Sequence, residues 1–347
     1  MGGGTGAAGC GALGGGVDLA AGAVPARHRG APRGRGGGLR AAYRCLGRGL
    51  PPVSSPPPVS SSELLPALPP FDFRALLGFL GVRVVTGVEY ADENTFARTV
   101  RLPGGPAVLR LTGRPDGVEL TCWLSDPADL AEARTRAGAL CDLAADPSLI
   151  DPALARVPAL AGLVADHPGI RIPGTLDRPE TAVRGLLGQQ ISLAGATRAA
   201  ERLVDEHGDP LPEELRRAGE PFGLTALFPT SARIAAVDPA RFAMPGSRQR
   251  ALHTLAAAVE AGTVDLTDPD LDRVRKSLLA LKGIGPWTAG YILLRACGDP
   301  DVWLDSDLVL RREAEARGIT AEQLRPVAGW RSYASLQLWR AAAERRR

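Results

Sequence analysis

The sequence has little of what identifies several common protein classes. Its 347 residues include only five cysteines with no CxxC pair, and its four histidines lack the spacing of metal ligands. Lysine occurs only at Lys276 and Lys282. No apolar run reaches the roughly 18 residues of a membrane-spanning helix. These absences exclude a disulfide framework, a side-chain metal site and a membrane protein, and they favour a reducing, cytoplasmic setting.

The first part of the chain has the composition of a tail. Residues 1–64 are rich in glycine, then in arginine and glycine, and then in proline and serine. They contain few large apolar residues, so burial could not offset the entropy lost on ordering them. We expect a disordered tail or a wrongly assigned start, with a nucleic-acid-binding arm as the alternative. The net charge of +3 permits an anionic partner but does not identify one.

Residues 65–145 have the pattern of a small α+β domain. A helical pattern over residues 71–83 precedes short β-like runs. The turn sequences ADEN, PGGP and RPDG separate these runs and suit hairpins of an antiparallel sheet. The four predicted strands are residues 84–90, 95–103, 107–114 and 117–124.

The strand pattern stops near Asp126, and amphipathic helices follow to the end of the chain. We therefore predict an α+β protein in which a small antiparallel-sheet N-terminal domain precedes a mostly helical domain, residues 146–347. Within the helical domain, residues 270–298 combine two helical patterns with a glycine-rich turn. This segment predicts a helix, a hairpin and a second helix.

The hairpin sequence favours contact with a DNA backbone. Gly283 and Gly285 permit a tight turn and a close approach of another backbone. Pro286 suits the first turn of the second helix, and Gly298 suits its C-terminal cap. The hairpin amides and the helix N-terminus then offer a site for a phosphate oxygen. A plain corner between two helices is the alternative.

Three polar residues precede the next helical pattern, residues 308–316. We expect Asp305 or Ser306 to cap this helix, and Asp307 to lie one step further in, near the positive end of the helix dipole. An anionic carboxylate beside a DNA-binding hairpin repels phosphate. It therefore suggests a catalytic role, the stabilisation of positive charge as a glycosidic bond breaks.

Four segments together carry a family resemblance. The chain resembles the DNA-3-methyladenine glycosylase II family of the helix-hairpin-helix DNA glycosylase superfamily, from about Leu65 almost to the C-terminus. The segments are FDFRALLGFLGVRVVTGVE, VRGLLGQQIS, LKGIGPWTAGYILLR with WLDSD, and WRSYASLQLW.

The resemblance implies roles for individual residues. Asp307 takes the place of the family's catalytic aspartate. The substrate-binding positions fall on Trp287, Tyr291, Trp339, Gln189 and Phe79. Without the resemblance, the aromatic residues would be read as core packing and Gln189 as a surface amide.

The resemblance also implies a DNA-binding surface. Gln190 occupies the position of the wedge that fills the gap left by a flipped base, although this wedge is commonly apolar in the best-known member. Leu308 replaces an aromatic residue after the catalytic aspartate, so one pocket wall differs. The hairpin contacts are assigned to Lys282, Gly283, Ile284 and Gly285.

The resemblance implies a monofunctional DNA glycosylase that excises alkylated bases such as 3-methyladenine and 7-methylguanine from double-stranded DNA. Such a protein acts as a monomer and does not bind a membrane. It requires no cofactor, although a structural monovalent cation could bind the hairpin carbonyls. A non-catalytic helix-hairpin-helix DNA-binding protein is the alternative.

Two other repair activities fit the sequence poorly. No four-cysteine iron–sulfur loop follows the hairpin, as it would in the endonuclease III branch of the superfamily. No cysteine has the PCHR-like setting of a methyl-accepting nucleophile.

Overall fold

The computed structural model describes residues 59–345 of the chain. Most of the predicted tail therefore lies outside the described residues. At residues 59–64 the tail prediction is wrong, because they belong to strand β1, Val59–Pro66, which pairs antiparallel with strand β5, Gly117–Leu124. The strand uses backbone hydrogen bonds and buries Leu65, so its run of serines does not prevent it from forming.

Five strands form the main sheet, and two very short strands form a separate pair. Besides β1 and β5, the strands are β2 (Glu89–Ala91), β3 (Thr95–Leu102), β4 (Gly105–Arg114), β6 (Asp209–Pro210) and β7 (Ala226–Leu227). The helices of the first part and the middle of the chain are α1 (Phe73–Gly81), α2 (Leu130–Leu140), α3 (Pro147–Ala155), α4 (Pro158–Asp166), α5 (Arg178–Leu187), α6 (Leu193–His207) and α7 (Glu213–Gly219). The later helices are α8 (Ser231–Ala235), α9 (Gly246–Glu260), α10 (Leu271–Leu279), α11 (Pro286–Ile292), α12 (Leu308–Ala316) and α13 (Arg331–Glu344).

The main sheet has the order β1-β5-β4-β3-β2, and every neighbouring pair is antiparallel. The predicted α+β class with hairpins in an antiparallel sheet is confirmed. The predicted strand over residues 84–90 is wrong for most of its length, because only Glu89–Ala91 forms a strand. Gly87 adopts φ 81°, and Val88 N–H bonds back to the carbonyl of Val85, so the chain turns there.

The sheet and the helices have separate hydrophobic cores, but the border between them is not a single point in the sequence. One face of the sheet packs with α1 and α2, whereas most later helices share a larger core. Val85 and Val88 belong to the helical core, and Leu176 belongs to the sheet core. A cut between residues 145 and 146 would therefore divide packed residues.

A buried ion-pair network joins the sheet to helix α5. Arg98 on β3 contacts Glu89 and Glu180, and Arg184 contacts the same two carboxylates. Removing one partner would leave a buried charge unpaired, at a cost of about 3–5 kcal/mol. The network therefore fixes α5, which is followed directly by the turn that contains Gln189 and Gln190. Within residues 59–345, no helix is long and apolar enough to cross a membrane.

Candidate active site and nucleic-acid interface

Helices α10 and α11 form the predicted helix, hairpin and helix. Asp270 caps α10 by accepting a hydrogen bond from Arg273 N–H at 3.0 Å. Gly283 adopts φ 97°, and a Cβ there would lie 2.6 Å from the Cβ of Ala251 on α9. Both the backbone angle and the packing therefore require glycine at this position.

The two hairpin glycines have different roles. Gly285 has φ −94° and ψ 176°, an extended conformation open to any residue, and a Cβ there would meet nothing within 4 Å. The turn itself therefore requires glycine at Gly283 but not at Gly285, where the predicted close approach of another backbone stays a prediction. The space beside Gly285 is therefore open on the protein surface. Lys282 is exposed, whereas Ile284 is only 5% exposed and packs in the core, so any DNA contact of Ile284 must use its backbone.

Helix α11 presents Trp287 and Tyr291 on one face. Their rings are stacked, with centroids 5.3 Å apart and planes 17° from parallel. A π-helical turn over residues 293–297 continues α11, and Gly298 ends it in a left-handed conformation, φ 72°, so the predicted cap is confirmed. Gly290 lets the helix pack closely, because a Cβ there would lie 2.6 Å from Leu304 Cδ2.

Asp307 is held by three N–H donors. Trp287 Nε1 donates to its Oδ2 at 3.0 Å, and Trp339 Nε1 donates to its Oδ1 at 3.2 Å. Leu310 N–H also donates to Oδ1, at 2.9 Å. The expectation that Asp305 or Ser306 caps α12 is therefore wrong, since Asp307 is the capping residue. Its backbone is extended at φ −69° and ψ 120°, which turns the carboxylate back toward the first amides of the helix.

This arrangement fixes a carboxylate at the edge of an aromatic cluster. Two indole N–H groups, one from α11 and one from α13, converge on Asp307 from different parts of the chain. All three contacts are donors, which suits an ionised carboxylate because it only accepts hydrogen bonds. The side chain is half-buried, so its charge can act on a group placed beside it with less screening than on the surface. The geometry is that of a preorganised negative charge.

Phe79 contacts two arginines that the sequence did not single out. The guanidinium carbon of Arg83 is 3.6 Å from the Phe79 ring centroid, and that of Arg295 is 4.8 Å away. Arg295 Nη1 donates to the hydroxyl of Tyr291 at 3.1 Å, and its Nη2 donates to the carbonyl of Gly174 at 3.1 Å. Arginine is abundant throughout the chain, so no sequence signal distinguished this pair.

The pKa values of Arg83 and Tyr291 depart from their ordinary values in this environment. Burial lowers the pKa of Arg83 to about 10. Burial alone would raise the pKa of Tyr291, but the charges of Arg295 and Arg83 outweigh it and lower that pKa.

The two glutamines lie in the turn between α5 and α6. Gln189 Nε2 donates to the carbonyl of Gly283 at 3.0 Å and to Thr288 Oγ1 at 2.7 Å, so its amide binds the hairpin. Gln190 is exposed and adopts φ 55°. Leu308, which follows Asp307, is 45% exposed. Among residues 59–345, no group of three or more His, Cys, Asp or Glu side chains could hold a metal ion.

Comparison with known proteins adds three findings. Residues 64–177 match the family model described as the AlkA N-terminal domain. Over 283 residues the chain is 35% identical to DNA-3-methyladenine glycosylase 2 of Escherichia coli K12, covering 78% of this chain and 94% of that protein. Over 285 residues it is 40% identical to a Mycobacterium tuberculosis protein named "Probable bifunctional transcriptional activator/DNA repair enzyme AlkA". That match covers 79% of this chain but only 56% of the relative, so the chain spans about half the length of this relative.

The fold also matches a solved structure. A 3-methyladenine DNA glycosylase from Archaeoglobus fulgidus superimposes with a TM-score of 0.67, covering 82% of this chain and 98% of that one. The sequences are 17% identical, so this likeness bears on the fold alone.

Proposed function

The chain belongs to the AlkA family of the helix-hairpin-helix DNA glycosylase superfamily, and from that premise we propose that it excises alkylated bases from double-stranded DNA. The reaction hydrolyses the N-glycosidic bond of bases such as 3-methyladenine and 7-methylguanine and initiates base excision repair. The observation that supports this most is the Asp307 carboxylate, which two tryptophan N–H groups and a backbone amide hold beside an aromatic cluster.

We propose that the hairpin and the turn that contains Gln189 and Gln190 position the DNA. The open surface at Gly285 and the nearby amides accept a phosphate of the lesion strand, and exposed Lys282 adds a positive charge. The target base must leave the helical stack, at a cost of a few kcal/mol. The exposed amide of Gln190 fills the gap and can hydrogen-bond to the opposite base.

The aromatic cluster then selects by charge and stacking. Each contact between a cationic base and the face of Trp287, Tyr291 or Trp339 contributes about 0.5–2 kcal/mol. Arg83 and Arg295 oppose a cationic base, and the negative charge of Asp307 offsets that opposition. Stacking is tolerant of shape, so a broad range of alkylated bases follows.

One carboxylate is sufficient for this chemistry. Most glycosidases need a second carboxylic acid to protonate the leaving group. An alkylated purine already carries positive charge in its nucleoside, so the bond between C1′ and the base nitrogen breaks with its electron pair moving to the base. Asp307 stabilises the resulting oxocarbenium-like sugar and orients the water that attacks C1′. The water's proton passes to solvent.

The same geometry argues against cleavage of the DNA backbone. Lyase relatives carry a lysine on the hairpin helix, where its amine attacks the sugar. Trp287 occupies that position and has no nucleophile. Lys282 is exposed and precedes the hairpin turn. We infer that the product is an intact abasic site.

We further propose that no cofactor takes part in the chemistry. The hairpin is nonetheless suited to a structural monovalent cation. Its carbonyls at Leu281, Gly283 and Gly285 accept hydrogen bonds, whereas those of Lys282 and Ile284 accept none within the described chain. These two oxygens are available as ligands. The cation would stabilise the turn that meets the phosphate.

We propose that the protein acts as a monomer in the cytoplasm. A non-catalytic helix-hairpin-helix DNA-binding protein would explain the hairpin, but not the three donors on Asp307 or the aromatic cluster beside it. Base release from methylated DNA by the native protein and by Asp307→Asn distinguishes the two functions. Release that depends on Asp307 supports catalysis, and absence of release by the native protein supports the binding protein.

A further inference from the structure

A strained residue lies at the centre of the turn between α5 and α6, residues 188–192, here called the wedge loop. Gln190 adopts φ 55°, a left-handed conformation that is unfavourable for a residue with a long side chain. Its side chain is exposed, so no packing of that side chain holds the conformation. Neighbouring groups must therefore enforce it.

The residues on either side of Gln190 are fixed. The side-chain amide of Gln189 binds the hairpin through Gly283 and Thr288, as described above. The carbonyl of Gln189 accepts a hydrogen bond from Arg248 Nη2 at 2.6 Å. On the other side, Ser192 caps α6 by accepting from Gly195 N–H at 3.1 Å. Gln190 is thus held between two anchored ends.

The hydrogen bond from Arg248 acts on the peptide unit next to the strained φ angle of Gln190. The Gln189 carbonyl and the Gln190 N–H belong to one peptide plane, so rotation that relaxes φ of Gln190 turns this carbonyl away from Arg248. The contact is short and charge-assisted, which makes it stronger than a neutral hydrogen bond. Arg248 also lies three residues before Ala251, which packs against Gly283. Helix α9 therefore contacts both the wedge loop and the hairpin.

We propose that Arg248 and Gln189 are positioning residues that hold Gln190 in the left-handed conformation and at a fixed distance from the hairpin. This inference rests on the proposed function, because it assumes that Gln190 enters the DNA. It reassigns Gln189 from the base pocket to the support of the wedge. Without the brace, Gln190 relaxes and the protein loses its preference for DNA with a vacated base position.

The test compares two arginines on one helix. Arg248→Met removes the brace, and Arg250→Met removes the same charge from an exposed position two residues away. The measurement is the ratio of affinities for a duplex containing a tetrahydrofuran abasic-site analogue and for the same duplex intact, by fluorescence anisotropy. We expect Arg248→Met to lower this ratio about tenfold, the effect of one hydrogen bond to a charged group. Arg250→Met weakens both affinities and leaves the ratio unchanged.

Three further variants separate positioning from charge and from folding. Arg248→Lys keeps a cationic donor and restores part of the ratio. Asparagine tolerates the left-handed conformation better than glutamine does, so in a Gln190→Asn background Arg248→Met lowers the ratio less than about threefold. Gln189→Met removes the contacts with the hairpin and provides an independent test if Arg248→Met lowers the melting temperature strongly.

Equal ratios for Arg248→Met and Arg250→Met would overturn the brace, as would an undiminished effect of Arg248→Met in the Gln190→Asn background. Failure of the proposed function has a different result: the native protein would then release no base from methylated DNA and would show no preference for the abasic duplex.

Discussion

Replacing Asp307 with asparagine separates the catalytic role of this carboxylate from its structural role. The substitution keeps the size of the side chain and one acceptor for the helix cap. Oδ1 receives both Leu310 N–H and Trp339 Nε1, so the amide oxygen takes that position. The amide NH₂ must then face Trp287 Nε1, a donor, where Oδ2 was.

The structural cost of Asp307→Asn is moderate. The Trp287 N–H loses its acceptor and faces a second donor, which lowers the free energy of unfolding by about 1–3 kcal/mol. We expect a fall in melting temperature of a few degrees.

The effect of Asp307→Asn on the rate of base release is larger. A carboxylate about 4 Å from a developing positive charge, at an effective dielectric constant of about 20, stabilises it by roughly 4 kcal/mol. The loss corresponds to a rate reduction of about 10³-fold. DNA affinity should not fall, because a charge that repels phosphate is removed.

The assay for this prediction is single-turnover base release from a methylated duplex with excess enzyme. Asp305→Asn is the matched control, since Asp305 is exposed, lies two residues away and loses the same charge. We expect the control to retain most of the native rate. A near-native rate for Asp307→Asn would refute the electrostatic role of this carboxylate.

Three further predictions concern the indole donor, the N-terminal boundary and the hairpin lysine. Trp339→Phe removes an N–H donor from the Asp307 carboxylate and should slow base release about tenfold. Trp330→Phe, which alters a ring packed on Tyr333 outside the site, should leave the rate unchanged, and equal rates for the two variants would contradict the role of the donor. Removing residues 1–58 should change the melting temperature by no more than about 2 °C. Removing residues 1–66 also deletes strand β1 and should lower the melting temperature by several times as much. Equal melting temperatures of the two deletion variants in calorimetry would contradict the strand assignment. Borohydride added during turnover should trap no covalent adduct between the protein and DNA. Lys282→Ala should reduce the salt dependence of DNA binding by about one phosphate contact. An adduct that the native protein forms and Lys282→Ala does not would make the protein a lyase.

Local patterns predicted much of the fold. Alternating apolar residues and turn chemistry predicted β3, β4 and β5, and Gly298 predicted a helix end. Strand β1 was missed because its serine-rich sequence resembles a linker, and its stability comes from pairing with β5, which is distant in the sequence. The exact capping residue of α12 depended on the angle at which the chain enters the helix, which neighbouring polar residues do not determine.

The candidate site was predicted in composition more than in geometry. Family resemblance identified Asp307 and its aromatic neighbours, but not the two indole N–H groups that converge on the carboxylate. Arg83 and Arg248 went unnoticed because arginine is common in this chain and their roles depend on contacts with distant residues. Long-range contacts of this kind leave no periodicity in the sequence.

Release of alkylated bases by hydrolysis, with the DNA backbone left intact, is the activity that we propose for the native protein. The most direct measurement incubates the native protein with duplex DNA treated with a methylating agent, separates the released bases by chromatography and examines strand breaks before and after alkali. We expect free 3-methyladenine and 7-methylguanine, with strand breaks only after alkali. Absence of free base, or strand breaks without alkali, would contradict it.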